Sequence, residues 1–253
     1  MASEQQYLHA HFYDLLDSSR VDPADASVRF FLHYALRAGN ALELGAGTGR
    51  VTLAIAGQHI PVWAVEPSPV MRAACLVKAA QQPHLYPFFT LLPGSAQDVR
   101  INRSFRFIYA SGVSMHWTSE DQWHAVLENV ARHLADDGIF VVDNLCLTPP
   151  EHNDSPLAQV SQARLGEIEY RTYFGRTWID KQRYRFHTRY EAVYQGVVIE
   201  AYEDDSIGSF LCQETCYGLL KEVGLQVRAA YQDFSFTLVS DTAEQVILEA
   251  GWS

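Results

Sequence analysis

The chain has 253 residues, 48% of them hydrophobic and 19% charged, and a formal net charge of −11. This length accommodates one well-buried domain, or one domain with a sizeable insertion. A surface with that net charge repels nucleic acid and anionic membranes. The chain begins with polar and acidic residues instead of a signal-type sequence, has no apolar run that spans a bilayer, and carries four scattered cysteines. We therefore expect a cytoplasmic protein with reduced thiols and with neither nucleic acid nor a membrane as partner.

From about residue 24 to 147, short apolar runs alternate with amphipathic stretches, a pattern typical of a parallel α/β sheet. Helices are predicted over 50–56, over 68–80 with Ser68 as the cap, and from the cap Ser119 through Leu134 to a stop at Asp137-Gly138. Strands are predicted over 40–44, 61–65, 86–92, 105–110 and 139–142.

The pattern changes after residue 147. Residues 148–155 have loop composition, and from about 164 to 202 the sequence alternates with period two around a hairpin turn at Gln195-Gly196, as in an antiparallel sheet. A helix over 213–223 that stops at Gly224 and two strands over about 225–230 and 245–250 complete the chain. The alternation predicts one face with Arg183, Arg185, His187 and Arg189 and another with Tyr184, Phe186, Thr188 and Tyr190.

A glycine loop follows the first predicted strand and opens the first helix after it. Gly45, Gly47 and Gly49 let the backbone turn tightly, and the loop N–H groups and the helix N-terminus then face a ligand with positive partial charge. This arrangement suits a pyrophosphate or the carboxylate of an amino-acid cofactor. Glu66, at the end of the next strand, is placed to accept both hydroxyls of a ribose, which fits either kind of cofactor.

Two features separate the cofactors. The loop spacing is G-A-G-T-G, not the G-x-G-x-x-G of nicotinamide-binding folds. Glu43 precedes the loop, and a carboxylate there disfavours a pyrophosphate but favours a methionine ammonium group, directly or through water. The alternative is a glycine-rich turn that binds nothing.

The runs ALELGAGTGR at 41–50 and VWAVEPSPVM at 62–71 resemble the first two motifs of class I S-adenosylmethionine-dependent methyltransferases. The stretches 94–99, 107–111 and 134–140 and the C-terminal strands resemble later landmarks of that family in the same order. The resemblance implies S-adenosylmethionine as cofactor. It also implies an α/β fold: a Rossmann-like, doubly wound sheet of seven strands, mostly parallel with one antiparallel edge strand, and a small antiparallel β insertion above the carboxyl ends.

The same resemblance implies a set of cofactor contacts and a division of the chain. Ser95 stands where the family usually has Asp, so the adenine contact is expected from Ser95, Gln97 or the main chain. The implied parts are an N-terminal helical lid (1–38), a cofactor-binding core (39–147), a substrate-covering insertion (148–210) and the C-terminal part of the core sheet (211–253). The implied cofactor-binding residues are Tyr13, Glu43, Gly45, Ala46, Gly47, Glu66, Pro67, Met71, Ser95, Ala96, Gln97, Ala110 and Ser111.

Two segments are candidates for contact with the reacting groups. His116 lies just after the fourth strand, where related small-molecule enzymes carry a similarly placed His, so we expect a base or an orienting hydrogen-bond partner; the alternative is a structural His beside Trp117. The segment 9–16 resembles the family's N-terminal lid helix, with Tyr13 on the cofactor. The alternative is that Phe12 and Leu16 only pack on the core while Tyr13 stays half-exposed.

The Tyr- and Arg-rich insertion is expected to cover the acceptor. Its aromatic residues suit stacking on a planar or apolar molecule and its arginines suit a carboxylate or phosphate, although Tyr and Arg are also common in ordinary strands. Asp143-Asn144 resembles the metal-binding pair of catechol-type O-methyltransferases, but the third carboxylate is absent, so no metal is predicted. The predicted substrate-binding residues are Trp117, Tyr170, Tyr173 and Trp178.

These observations predict transfer of a methyl group from S-adenosylmethionine to a nitrogen or oxygen of a small molecule such as a secondary metabolite, by in-line displacement. A methyltransferase-fold protein with non-methylating chemistry and a non-catalytic binding protein are the alternatives. A nicotinamide-dependent oxidoreductase fits the loop spacing less well. A homodimer is compatible with the sequence.

Overall fold

The computed structural model describes residues 10–16, 25–147 and 151–253. Within these residues, no helix combines the length and apolar character needed to cross a membrane. The helices are α1 (Ala10–Leu16), α2 (Ala26–Ala38), α3 (Arg50–Gly57), α4 (Pro69–Ala80), α5 (Glu120–His133) and α6 (Gln213–Glu222). The strands are β1 (Ala41–Leu44), β2 (Val62–Glu66), β3 (Phe89–Pro93), β4 (Phe105–Ala110), β5 (Leu134–Leu145), β6 (Ser155–Leu165), β7 (Ile168–Trp178), β8 (Arg183–Tyr194), β9 (Val197–Ser209), β10 (Leu225–Tyr231) and β11 (Val246–Trp252).

Seven strands form a central α/β sheet in the order β10-β11-β5-β4-β1-β2-β3. The strands from β5 to β3 in this order are parallel to one another, so their carboxyl ends lie at one edge of the sheet. The order of connection reverses between β1 and β4, and open α/β sheets bind ligands beside such a switch point. This confirms the predicted doubly wound, seven-stranded fold.

Two apolar layers cover the two faces of the sheet. Along β1, Leu42 and Leu44 join the larger layer, which α5 and α6 complete, while Ala41 joins the layer formed with α2 and α3. Glu43 points to the same side as Ala41 because successive side chains of a strand alternate between faces. A carboxylate is thereby placed under α3, inside an otherwise apolar layer.

The prediction that the antiparallel strand lies at the edge of the sheet is wrong. The antiparallel strand is β11, which lies between β5 and β10, and β10 forms the edge. Val246, Ile247 and Leu248 at the start of β11 are all fully buried, whereas β10 alternates between buried and exposed residues. A run that is apolar on both faces is suited to the interior of a sheet, and a half-polar strand to its edge.

Two other boundaries differ from the predictions. Residues 83–88 form a 3-10 turn that contains Pro87, so β3 begins at Phe89. The helix α5 ends at His133, and β5 begins directly after it. Four residues, 135–138, form a bulge between the pairs that join β5 to β4, and the Trp252 indole N–H donates to the Ala135 carbonyl at 3.1 Å across this bulge.

Strands β6 to β9 form a separate four-stranded antiparallel sheet, the insertion. The predicted hairpin turn at Gln195-Gly196 is confirmed, with φ of 49° and 82°. Strand β6 was not predicted before residue 164, since almost all of it is exposed and it lacks an apolar alternation.

The register of the insertion confirms the predicted faces of β8, with Arg183, Arg185, His187 and Arg189 on one and Tyr184, Phe186, Thr188 and Tyr190 on the other. The inner face packs on the core: the Tyr184 hydroxyl lies 3.9 Å from the Met115 sulfur, and the Phe186 ring centre lies 6.3 Å from that of His116. The outer face carries the paired arginines and acids. The inner face consists of Tyr170, Thr172, Phe174, Arg176 and Trp178 of β7, Tyr184, Phe186, Thr188, Tyr190 and Ala192 of β8, and Glu200, Tyr202, Asp204, Ser206 and Gly208 of β9.

Candidate active site

The glycine loop is fixed by main-chain hydrogen bonds to the neighbouring strand β2. The N–H groups of Gly45 and Ala46 both donate to the Val65 carbonyl, at 2.8 and 3.0 Å, and the Gly49 N–H donates to the Ala46 carbonyl at 2.9 Å. The loop therefore holds its shape through contacts made by its own backbone, before α3 begins at Arg50.

The three glycines of the loop have different surroundings. A Cβ on Gly45 would lie 2.6 Å from a Val113 methyl, and one on Gly49 would overlap the Cys75 sulfur, so these two positions allow close packing. Gly47 has φ 55° and a Cβ there would meet no atom within 4 Å. Gly47 thus faces open space at the carboxyl edge, where a ligand can lie against bare main chain.

Glu66 ends β2 and turns its carboxylate toward this loop. One oxygen accepts the Gly47 N–H and the other accepts the Ser68 N–H, both at 2.8 Å. Burial raises the pKa of Glu66, and these two N–H bonds and the Arg72 guanidinium oppose the rise. A carboxylate offers about four lone-pair directions, so each oxygen keeps one for a ligand hydroxyl.

Glu43 is fully enclosed by protein groups. Its carboxylate accepts the hydroxyl of Thr52, on α3, and the Tyr109 hydroxyl at 2.8 Å. Burial raises the pKa of Glu43 to about 7, and the two hydroxyls and the Arg50 guanidinium oppose that rise. At neutral pH this group is therefore poised between its two protonation states, and a cation placed nearby would favour the ionised one.

A second buried carboxylate, Asp143, lies at the end of β5. It accepts the Gly112 N–H at 2.6 Å and the Ser111 hydroxyl at 3.4 Å. Burial raises the pKa of Asp143 to about 6, and the Gly112 N–H and the charge of Arg50 oppose the rise. Arg50 in turn donates to Ser111 at 3.2 Å, so the ends of β4 and β5 and the start of α3 form one polar cluster.

The predicted adenine loop is described in full. The Ser95 hydroxyl donates to Asp98 at 2.8 Å, which engages it within the loop, while the Ala96 carbonyl accepts the Asn129 side-chain amide at 2.8 Å. Gln97 is half-buried, and its side-chain amide forms no hydrogen bond within the described residues. Ser95 is thus engaged within the loop, and the expected adenine contact from Gln97 or the main chain stays a prediction.

The remaining predicted cofactor contacts lie around the same edge. Met71 is buried, and its N–H donates to Ser68, the cap of α4, at 3.3 Å, which confirms that predicted cap. The Pro67 carbonyl accepts the Arg72 guanidinium at 2.8 Å. Ala110 is fully buried in the core and exposes no surface at the carboxyl edge.

Helix α1 connects the glycine loop to the insertion. Phe12 is fully buried, and its ring packs on Tyr170 of β7 with 5.4 Å between centres and on Tyr190 and Tyr202 at 5.8 Å each. Leu16 is buried in the same cluster. Phe12 and Leu16 therefore pack on the inner face of the insertion, which neither of the two sequence interpretations had specified.

The opposite side of α1 meets the glycine loop. The Asp14 carboxylate accepts the Thr48 hydroxyl at 2.7 Å and the Lys78 ammonium at 2.9 Å. Tyr13, the residue singled out from the sequence, is half-buried on the same helix. Asp14 was not predicted, because its two partners come from the loop and from α4 and only the folded chain brings them together.

His116 ends a one-turn 3-10 helix after β4, and this turn packs against β9. Its half-buried ring faces Phe186 on the inner face. Burial lowers the pKa of His116, and the negative charge of Asp204, also on the inner face, opposes the lowering. The imidazole is therefore neutral at neutral pH and able to accept a proton.

The four predicted substrate-binding aromatics lie in different places. Trp117 is buried in the core against Trp123, with 4.6 Å between ring centres. Tyr170 packs on Phe12, and Trp178 lies on the inner face beside Tyr184. Tyr173 lies on the outer face, opposite Arg189 in the register of β7 and β8, so its contact with an acceptor stays a prediction that its position does not favour. One residue of register separates it from the inner face.

Asn144 is a further residue that the sequence did not single out for substrate contact. It follows Asp143 with φ 62°, a conformation unfavourable for a non-glycine residue, and its buried amide nitrogen has no hydrogen-bond partner within the described residues.

Across the described residues, no group of three or more His, Cys, Asp or Glu side chains is arranged to hold a metal ion.

Comparison with known families gives one match, over residues 41–138, to the model of a methyltransferase domain. This region contains the glycine loop, Glu66 and the loop at 94–99. A search of curated proteins finds no significant match.

Many solved structures share the fold. An S-adenosylmethionine-dependent methyltransferase from Clostridium acetobutylicum ATCC 824 is 19% identical with a TM-score of 0.78, over 97% of this chain and 98% of that one. An amino pentose methyltransferase from Micromonospora echinaspora is 15% identical with a TM-score of 0.72, over 97% and 96%. A sugar N-methyltransferase from Streptoalloteichus sp ATCC 53650 is 17% identical with a TM-score of 0.73, over 95% and 92%.

At these identities the structural likeness shows the fold, including the insertion. The matched domain supplies the class of enzyme, and the geometry of the carboxyl edge agrees with it. The methyltransferase-domain match over residues 41–138 and the shared fold together indicate a class I S-adenosylmethionine-dependent methyltransferase.

Proposed function

We propose that the protein transfers a methyl group to a nitrogen or oxygen of a small molecule and that His116 accepts the proton which the acceptor gives up. The observation that carries this proposal is the position of His116. Its ring lies after the end of β4, faces the inner face of the insertion, and has a pKa lowered by burial. A neutral imidazole in that place is suited to act as a base at neutral pH.

The residues at the carboxyl edge fit S-adenosylmethionine. Gly47 leaves open space against the main chain, and the free lone pairs of Glu66 are placed for two ribose hydroxyls. Glu43 supplies negative charge for an ammonium group. The Ala96 and Gln97 carbonyls accept Asn129 and Arg100, so the main-chain N–H groups of this loop are the ones proposed to contact adenine. When bound, S-adenosylmethionine supplies a methyl group on a sulfonium, which an aligned nucleophile takes by in-line displacement.

In this proposal His116 takes the proton and Asp204 stabilises the imidazolium that results. When the imidazole accepts a proton it becomes a cation, and the Asp204 carboxylate stabilises that form. Asp204 is itself held on β9 by the Ser206 hydroxyl, which donates to it at 2.9 Å. We infer that Asp204 is a positioning residue that tunes the basicity of His116.

A small acceptor is favoured by what encloses the site. Helix α1 joins the glycine loop through Asp14 and the insertion through Phe12, and it acts in this proposal as the lid over the cofactor. Two structures with this fold, a sugar N-methyltransferase and an amino pentose methyltransferase, agree with a small acceptor. The net charge of −11 is unfavourable for nucleic acid.

Mass spectrometry of reactions with a panel of small amines and alcohols tests the proposal. The wild-type protein and S-adenosylmethionine should give S-adenosylhomocysteine together with an acceptor that has gained one methyl group. The His116→Asn variant should bind S-adenosylhomocysteine normally in calorimetry but form this product slowly. Equal product formation by both proteins would remove His116 from the mechanism. If the protein binds S-adenosylmethionine but forms no S-adenosylhomocysteine with any acceptor of the panel, non-methylating chemistry would be favoured.

A further inference from the structure

The strands of the insertion contain six arginines, and five of them lie on its outer face while one lies on its inner face. Arg176 lies on the inner face, opposite Phe186 in the register of β7 and β8. On the outer face, Arg171, Arg183 and Arg189 form ion pairs of 2.7 to 2.9 Å with acids of the insertion or of the loop between β7 and β8. The other two outer arginines are Arg164 and Arg185.

Within the described residues, Arg176 has no carboxylate at ion-pair distance. Its Nε–H is buried and has no hydrogen-bond acceptor, and the indole Nε1–H of Trp178 is in the same condition. The guanidinium carbon lies 5.2 Å from the Trp178 ring centre and 5.6 Å from that of Tyr184. Two aromatic rings therefore hold the guanidinium in place and leave its N–H edge unused.

Arg176 and Trp178 are half-buried residues whose Nε–H and Nε1–H are fully covered, and buried donors without partners are rare in folded proteins. The two neighbouring orphan groups are both donors that never accept, so a molecule that satisfies them must present acceptor oxygens. A guanidinium prefers the paired oxygens of a carboxylate or a phosphate, which match its planar edge.

The position of Arg176 relates it to the proposed reaction. Phe186, its cross-strand partner, is the ring that faces His116 at 6.3 Å. Directly opposite residues of an antiparallel pair have Cβ atoms about 5 Å apart. One small molecule can therefore contact His116 with its reacting atom and Arg176 with a second group.

We propose that the acceptor carries an anionic oxygen group, a carboxylate or a phosphate ester, and that Arg176 and the Trp178 indole N–H bind it. This proposal rests on the proposed function, since it assigns Arg176 to the same site as His116. It defines the acceptor as a small molecule with a nitrogen or oxygen nucleophile and an anion within a few bonds of each other.

Thermal unfolding in the presence of simple anions tests the site without methyl donor or acceptor, so its result does not depend on methyl transfer. Wild type, Arg176→Gln and Arg185→Gln are titrated with acetate, inorganic phosphate or neutral acetamide at constant ionic strength. Arg185 lies on the outer face of the adjoining strand and is the matched control for loss of one positive charge. Arg176→Lys keeps the charge and serves if the Gln variant does not fold.

Wild type and Arg185→Gln should show a saturable rise in Tm with one of the two anions and none with acetamide. The anion with the lower half-saturation concentration identifies the class of group, carboxylate or phosphate. Arg176→Gln should lose the rise, and Arg176→Lys should need about tenfold more anion because a lysine lacks the planar pair of donors. An equal rise in wild type and Arg176→Gln, an equal effect of acetamide, or no rise with either anion in wild type would overturn the proposal.

Discussion

The carboxyl edge of the central sheet and the inner face of the insertion differ in how their polar groups are satisfied. At the edge, both oxygens of Glu66 accept main-chain N–H groups, and Glu43 accepts two hydroxyls. On the inner face, Thr172, Arg176 and Trp178 each have a buried polar atom with no partner among the described residues. Apart from the unpaired amide of Asn144 at the end of β5, the polar groups at the edge are thus fixed before any ligand binds, whereas those on the inner face lack partners that a ligand would supply.

The difference separates two kinds of substitution. Changes at the edge should weaken cofactor binding, because they disturb groups that are already fixed. Changes on the inner face should affect turnover or acceptor binding and leave the cofactor affinity as it is. The predictions below use this separation, and a variant that affects both properties equally would argue against it.

The largest effect is expected at His116. The His116→Ala variant loses the proposed base, and kcat should fall by about 100-fold or more. The dissociation constant for S-adenosylhomocysteine, measured by calorimetry, should stay within a factor of two or so of wild type. His187→Ala on the outer face is the matched control and should keep kcat. A fall in cofactor affinity as large as the fall in kcat would contradict the assignment.

A substitution at Gly47 should act on the opposite half of the site. In Gly47→Ala the new methyl group enters the open space beside the loop, and affinity for S-adenosylhomocysteine should fall by about tenfold, which corresponds to about 1.4 kcal/mol. Gly39→Ala is the control, because Gly39 also has positive φ and open space around its Cβ position but lies at the end of α2, beside the start of β1. Both variants should lose about 1 kcal/mol of stability from backbone strain. Equal cofactor affinity in the two variants would show that the ligand does not lie against Gly47.

Loss of the contact between Asp14 and the glycine loop should have a smaller effect. Asp14→Asn weakens the hydrogen bond from Thr48 and removes the ion pair with Lys78. The side chains of Asp14 and Lys78 are each about one-quarter exposed. A loss of about 1 kcal/mol would reduce cofactor affinity about fivefold. A double-mutant cycle with Thr48→Val, read by calorimetry, isolates the pair. Additive effects of the two substitutions would mean that Asp14 and Thr48 do not act together.

The smallest effect concerns the pH dependence of turnover. Burial lowers the pKa of His116 and Asp204 raises it, and the base acts in its neutral form, so kcat should rise with pH through the pKa of His116 and then stay level. In Asp204→Asn the opposing charge is gone, the pKa of His116 falls further, and the rise in kcat should move to lower pH. Asp205→Asn, the next residue but on the outer face, should leave the profile unchanged. A shift in the opposite direction would exclude Asp204 as a partner of the imidazolium.

The sequence predicted the geometry of the glycine loop and of the neighbouring strand ends well, because that geometry depends on local features. Glycine spacing, an acid before the loop and an acid at the end of the next strand are contiguous motifs, and their geometry follows from strand, loop and helix. The caps at Ser68 and Ser119 were found for the same reason, since a cap is a short-range hydrogen bond.

The inner face of the insertion was less predictable because it depends on register and on long-range packing. Period-two alternation assigned the faces of β8 correctly, but the predicted group of aromatics on β7 joined Tyr170 and Trp178 to Tyr173, which faces away. The exposed strand β6 carried no apolar pattern. The contacts of Asp14 with Thr48 and Lys78, and the effect of Asp204 on His116, join residues far apart in the chain.

A crystal structure with S-adenosylhomocysteine would test the central claim most directly. The account predicts that the ribose hydroxyls lie on the Glu66 carboxylate and that the ligand lies against the main chain of Gly47. It also predicts that the sulfur is directed toward His116 beneath the inner face of the insertion. A ligand bound elsewhere, or a sulfur that faces away from His116 and the inner face, would contradict the account.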